Sequence, residues 1–175
     1  MLYRFQIELA DIDHGVYETL EVRTAQHPSE KADYLLTRVL AYALSYRAGL
    51  EFSAGGLGDP DAPALRALGA QGSVDLWIEI GNPSTKRLHK ASKAANEVRV
   101  YTYRSLHSLL DQLNTREIHR AAQISIFALE AKFLAGLEGG LQKSNKWSVM
   151  LQEGQLEVGT GTESFQTEVQ SHFLA

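Results

Sequence analysis

No cysteine occurs in the 175 residues of this chain. That absence removes disulfides, thiolate nucleophiles and thiolate metal sites together, and it leaves carboxylates as the natural ligands for any cation. No apolar run approaches the ~18–20 residues that a membrane-spanning helix needs. Positive charge is not in excess either: 17 basic residues face 21 acidic ones, a net charge of −4. Such a chain does not coat nucleic acid through a general field, so any phosphate contact must be local. A secretory leader needs a basic start, an apolar block and small residues before cleavage. Instead, Tyr3, Phe5, Ile7 and Leu9 alternate with Arg4, Gln6 and Glu8, the period of a half-buried strand. Retention in the cytoplasm, with no membrane partner, is the expectation. Internal repeats and low-complexity tracts are missing too, and the length suits one domain with a full core.

What is present reads as two hairpins around a mixed middle. Asp13-His14-Gly15 breaks the first strand, and Tyr17, Leu20 and Val22 continue the pattern, so a hairpin is expected over about residues 2–24. Trp147, Val149 and Leu151, then Glu153-Gly154, then Leu156 and Val158 predict a second over about 146–169. A lone hairpin is marginal in water, so both should share a sheet or pack on the middle of the chain. There, Pro28 and Glu30 look like a helix start, and Leu35, Leu36, Val39, Leu40, Ala43 and Leu44 recur at helical spacing. Short strands are expected at Leu50-Glu51-Phe52 and at Val74 to Ile80, separated by a long Gly/Pro/Ala-rich loop. A helix capped by Asn82-Pro83 and running to about Ala95, then a strand over Val98 to Tyr103, make a right-handed parallel crossover. A helix near Leu106–Leu113, a strand at Ile124–Phe127 and a helix near Leu129–Leu137 extend it. The fold class is α/β (α+β).

One acid stands out. Val74, Leu76, Ile78 and Ile80 share one face of their strand, while Asp75, Trp77 and Glu79 share the other. Glu79 in so apolar a strand is costly unless it is paired, hydrated or bound to metal; a sheet edge facing water or a basic partner is the plain alternative. Asp75 is not its partner, because four strand residues separate the two by about 13 Å. Other chemistries are weaker. The six histidines lack paired helical spacing for zinc, and no serine sits in a nucleophile elbow. Gly55-Gly56-Leu57-Gly58 lacks the Lys-Ser/Thr of a phosphate loop. Gly81-Asn82 at a strand end could meet an anion, and Tyr101 and Tyr103 with Arg99 suggest either a packed sheet face or a platform for bases.

Several blocks together carry a resemblance. His27-Pro28-Ser29-Glu30, Arg38 with Leu40-Ala41-Tyr42-Ala43-Leu44, and Leu50-Glu51-Phe52 occur in order. Leu76-Trp77-Ile78-Glu79-Ile80-Gly81, Lys86-Arg87 with Lys90-Ala91, and Val100-Tyr101-Thr102-Tyr103 follow. Over nearly the whole chain they resemble the YaeQ family, whose biochemical function is not established. The resemblance implies a fold similar to restriction endonucleases, the PD-(D/E)xK superfamily. That means a mixed-sheet core of about residues 28–137 flanked by helices, with additional antiparallel strands from both ends. In that superfamily an Asp and an acid-x-Lys strand hold a divalent cation and a water; period two puts acid and lysine on one face, about 6.6 Å apart.

The chain departs from this pattern twice. Glu79 fits the acid position, but Gly81 stands at the lysine position, so a lysine would come from the following helix. Lys90 is the candidate, with Lys86 and Arg87 behind it; the alternative is a solvated basic face. Ala62-Pro63-Ala64 stands where the family has Glu-Pro-Asp, so Asp61 or Asp59 would have to slide in. Glu30 and Glu51 are the remaining acids in family-like blocks. The candidate catalytic residues are therefore Glu79 and Lys90, and the candidate metal ligands Glu79, Asp61, Glu30 and Glu51. Two functions compete: binding a protein or nucleic-acid partner through a nuclease-type fold with an incomplete metal site, or Mg²⁺-dependent phosphodiester hydrolysis by Glu79, Asp61 or Glu30, and Lys90.

Overall fold

The computed structural model describes residues 1–54, 57 and 59–175. Strict alternation builds its outer strands. β1 (Leu2–Asp11) buries Phe5, Ile7 and Leu9, and β2 (Val16–Ala25) buries Leu20 and Val22, the two meeting as an antiparallel hairpin. β8 (Ser144–Gln152) and β9 (Gln155–Gly159) repeat the design with Trp147, Val149, Leu151, Leu156 and Val158. The two hairpins share one sheet: β1 and β8 pair in parallel, with Ile7 beside Trp147.

The middle supplies α1 (Ala32–Leu44), β3 (Leu50–Phe52), β4 (Leu65–Leu68), β5 (Val74–Ile80), α2 (Thr85–Ala94) and β6 (Ala95–Thr102). Next come α3 (Leu106–Gln112), β7 (Ser125–Ala128) and α4 (Ala131–Gly139); after β9 follow β10 (Ser164–Glu168) and β11 (Gln170–Phe173). Among the described residues these form two mixed sheets, ordered β10-β9-β8-β1-β2 and β11-β7-β6-β5-β4-β3. The expected crossover is present, with β5, β6 and β7 parallel. No helix is long and apolar enough to cross a membrane among the described residues.

α1 lies between the sheets. Leu35 through Ala41 are buried without a break, the mark of a helix enclosed on all sides. It packs on β1 of one sheet, on β5 and β6 of the other, and on α4. Leu36, Leu40, Leu76 and Ile78 meet in this central core; truncating one such leucine to alanine costs about 2–5 kcal/mol. On the far side of the second sheet, Trp77 and Val100 pack with Leu88 of α2 and Leu109 of α3 in a second core.

The structure departs from the sequence expectations at several points. α1 begins at Ala32, not Pro28, because residues 27–30 close a turn in which the Glu30 N–H donates to the His27 carbonyl and the His27 N–H to Glu30 Oε1. Ser84, not Asn82-Pro83, caps α2 by accepting the Arg87 N–H. β5 is no edge strand, since it lies between β4 and β6. Tyr101 is no platform for bases: it is 2% exposed and stacks on Phe127 at 4.9 Å. β10 and β11 were not expected, and the second takes the final strand across to the other sheet. Gly55, Gly56 and Gly58 of the glycine loop lie outside the described residues.

Candidate functional site

The site grows from the end of β5. Glu79 is 4% exposed, and both its oxygens are engaged. Trp77, two residues earlier on the same face, donates its indole N–H to Oε1 at 2.7 Å; Arg87 donates Nε–H to Oε2 at 2.8 Å. Arg87 sits in the first turn of α2, which the crossover returns over the end of β5. Its guanidinium also donates to the carbonyls of Pro60 and Ala62, the latter at 2.6 Å. One cation thus bridges a buried carboxylate and the loop that leads into β4.

Lys90, one turn further along α2, reaches Asp61 of that loop at 2.5 Å, where both side chains are solvent-exposed. The hydrogen bond and charge of Lys90 hold the Asp61 carboxyl below its usual range. From α1, Tyr34 feels both Glu79 and Glu30. Its phenol is pushed up to about 12, by burial first and by the Glu79 charge next. Tyr34 also meets Tyr103 edge-on, ring centroids 6.4 Å apart. Glu30 has its own arginine: Arg38 donates Nε–H and an Nη2–H to its two oxygens at 3.0 and 3.1 Å, and an Nη1–H to Thr24 Oγ1 at 2.6 Å. Glu51 pairs with Arg66 on the exposed β3–β4 edge and takes no part in the cluster.

The structure therefore brings Glu79, Lys90 and Asp61 to one loop and helix face, sets Glu30 beside Tyr34, and leaves Glu51 apart. The residue that sequence reasoning undervalued is Arg87. It precedes Leu88 and shares a helix row with Ala91, both buried, so it borders the apolar stripe rather than opposing it.

The missing superfamily residues have local reasons. Gly81 has φ +91° with the Tyr103 ring 3.7 Å from where a Cβ would stand; a lysine there would be strained in the left-handed region. Ala64 is buried in the central core, and its N–H donates to the Ile78 carbonyl. Gly81-Asn82 is not an anion site at a helix start, because Ser84 caps the helix and Asn82 Oδ1 accepts from Thr102. Each oxygen of Glu79 already accepts one hydrogen bond, from Trp77 or Arg87. No group of three or more potential His, Asp or Glu ligands occurs among the described residues.

Fold and site define a class: an α+β protein of two mixed sheets, with a buried acid–arginine cluster where the central parallel strands end. The chain belongs to the YaeQ family, whose model, described as YaeQ protein, matches residues 1–169. It is 28% identical over 154 residues to the uncharacterized protein YaeQ of Escherichia coli strain K12, spanning 87% of this chain and 84% of that one. The crystal structure of YaeQ from Xanthomonas axonopodis pv. citri superposes with a TM-score of 0.90 at 26% identity, over 98% of this chain and 97% of that one. The one from Pseudomonas syringae gives 0.87 at 33% identity, over 100% and 96%.

Proposed function

We propose that this YaeQ-family chain is built on a PD-(D/E)xK-like, restriction-endonuclease-type core, in one domain with its two hairpins. In this reading the cation position is taken by the Arg87 guanidinium. The protein then acts in the cytoplasm by binding a partner rather than by cutting phosphodiesters. The observation that carries this reading is the Glu79–Arg87 pair, which sets a guanidinium charge against the buried acid a metal would need, with the Trp77 N–H on its other oxygen. Support for the core comes from the parallel β5–β6 crossover with Glu79 near its end. The net charge of −4 favours a protein surface over nucleic acid as partner.

A second reading, an Mg²⁺-dependent nuclease, is favoured by one observation: Asp61 and Lys90 stand beside the carbonyls that Arg87 holds. One experiment separates the two. The purified protein is incubated with Mg²⁺ or Mn²⁺ on single- and double-stranded DNA and RNA, and metal binding is followed by calorimetry. Binding without chemistry predicts no cleavage and no heat; cleavage that disappears in Glu79→Ala would overturn it.

A further inference from the structure

β2 ends its sheet, so one side of it meets no other strand. Which groups lie on that open side follows from the phase of β1. Arg4 donates its N–H to the Lys143 carbonyl and Ile12 to the Leu151 carbonyl, both toward β8. The even residues of β1 therefore turn their backbone groups to β8, and the odd ones turn theirs to β2. Tyr17, Thr19, Glu21 and Arg23 of β2 stand opposite Ala10, Glu8, Gln6 and Arg4, all even. Their N–H and C=O groups thus point away from β1, and nothing among the described residues bonds them. Gln26, which donates its N–H back to the Met1 carbonyl, fixes the same phase from the other end. Natural edges are blunted by proline, lysine or bulges. β2 has no proline and no lysine, and its ten residues pair with β1 without a register shift. This edge is open.

The side chains along it select what pairs there. Tyr17, Thr19, Glu21 and Arg23 are all exposed on the outer face of the sheet. Arg23 stands directly across from Arg4, a like-charged pair that costs stability. Neither arginine pairs with a carboxylate among the described residues, and Glu21 pairs with no cation. A second β2, antiparallel about a two-fold axis, bonds only when odd residues face odd residues. Centred on Glu21, that arrangement sets two carboxylates against each other. Centred on Leu20, it sets Glu18 of each copy against Val22 of the other on the inner face. Centred on Val22, it sets Glu21 across from Arg23 twice and Thr19 across from Ala25. On the inner face it then sets Val22 against Val22 and Leu20 against Thr24. The net charge of −4 opposes self-association in general, and the two Glu–Arg pairs offset it where the copies meet.

We propose that β2 pairs with β2 of a second copy of this chain, antiparallel about Val22, so that two five-stranded sheets become one continuous sheet. Backbone bonds supply the attachment, and the Glu21–Arg23 pairs set the register. Pairing along one edge buries a small area, so the dimer is weak and reversible. It depends neither on the Glu79 cluster nor on the partner that cluster's fold would bind. The test is sedimentation velocity of the full chain over a concentration series, with amide hydrogen exchange at both ends of the series. The expected result is a dimer that grows with concentration, with the Glu21 and Arg23 amides protected only where it is populated. Glu21→Pro removes an N–H that nothing inside the chain uses and should abolish the dimer while leaving the urea midpoint close to that of the parent. Arg23→Glu, which serves if the proline variant does not fold, should weaken dimerisation by about 10-fold, because both cross-strand pairs become like-charged. Exchanging the two charges in one chain, Glu21→Arg with Arg23→Glu, should restore it. A monomer at every concentration, association unchanged in Glu21→Pro, or no recovery on exchanging the charges would overturn the proposal.

Discussion

The two ends of α1 are built from the same parts and are finished differently. Tyr34, near its start, lies by the Glu79–Arg87 and Glu30–Arg38 pairs; Ser45, at its end, lies by Arg99, Glu97 and Tyr101. The eleven residues from Tyr34 to Ser45, at about 1.5 Å each, set these two positions roughly 16 Å apart along the helix. Each has arginines, a carboxylate and a tyrosine, half-buried Tyr34 at the first and buried Tyr101 at the second. At the first end the oxygens of Glu79 and Glu30 are all met by protein donors. At the second, both oxygens of Glu97 are met as well, by Arg47 and Arg99. The difference lies in what is joined: Arg87 ties the carbonyls of a loop to α2, whereas Arg47 and Arg99 tie the end of α1 to β6.

The sharpest way to break this contrast is to release the loop at the first end. Arg87→Ala leaves the Glu79 carboxylate buried beside the Trp77 N–H alone, and should cost about 3–5 kcal/mol, nearer the lower figure because Arg87 is 29% exposed. Urea denaturation measures the loss, and a double variant that also replaces Glu79 with glutamine should recover part of it. A loss near zero would mean the cluster is not holding the loop to the helix.

The second expectation distinguishes the tyrosines by pH. Burial and the Glu79 charge raise Tyr34 to about 12 in the folded chain, against about 10 unfolded. A group whose folded pKa is raised contributes stability that is complete below its unfolded value and is lost as pH climbs through the folded one. Stability should therefore fall between pH 10 and about 12, less steeply in Tyr34→Phe. Ultraviolet titration should further show that Glu79→Gln lowers the pKa of Tyr34 while leaving Tyr101, at the far end, where it was. The smallest effect belongs to Lys90→Met. Its bond to Asp61 lies in solvent, where ion pairs contribute little, so the denaturation midpoint should not move measurably.

How far these features were legible varies with how much side-chain burial they involve. The hairpins and α1 announce themselves because Phe5, Ile7 and Leu9, or Leu36 and Leu40, recur at the period of their element. β11 does not, since Gln170, Ser171, His172 and Phe173 are all exposed and the strand is held by backbone pairing to β7. Glu79 stood out as an acid among apolar neighbours, yet its partner was hidden in a basic run where Lys86, Arg87 and Lys90 look alike until the helix is placed. Ser45, Arg47 and Glu97 carried no local signal, because the cluster they form joins residues about 50 positions apart.

The parallel pairing of β1 with β8 sets a timetable. Ile7 lies beside Trp147, about 140 residues later, and closing so long a loop makes the contact slow as well as entropically costly. The β1–β2 hairpin can form within microseconds, but its Phe5, Ile7 and Leu9 stay uncovered until α1 arrives. The free edge of β1 then waits for nearly the whole chain. During synthesis that edge is a template for the wrong strand, on this chain or another. The molecule is thus most vulnerable before β8 has been made.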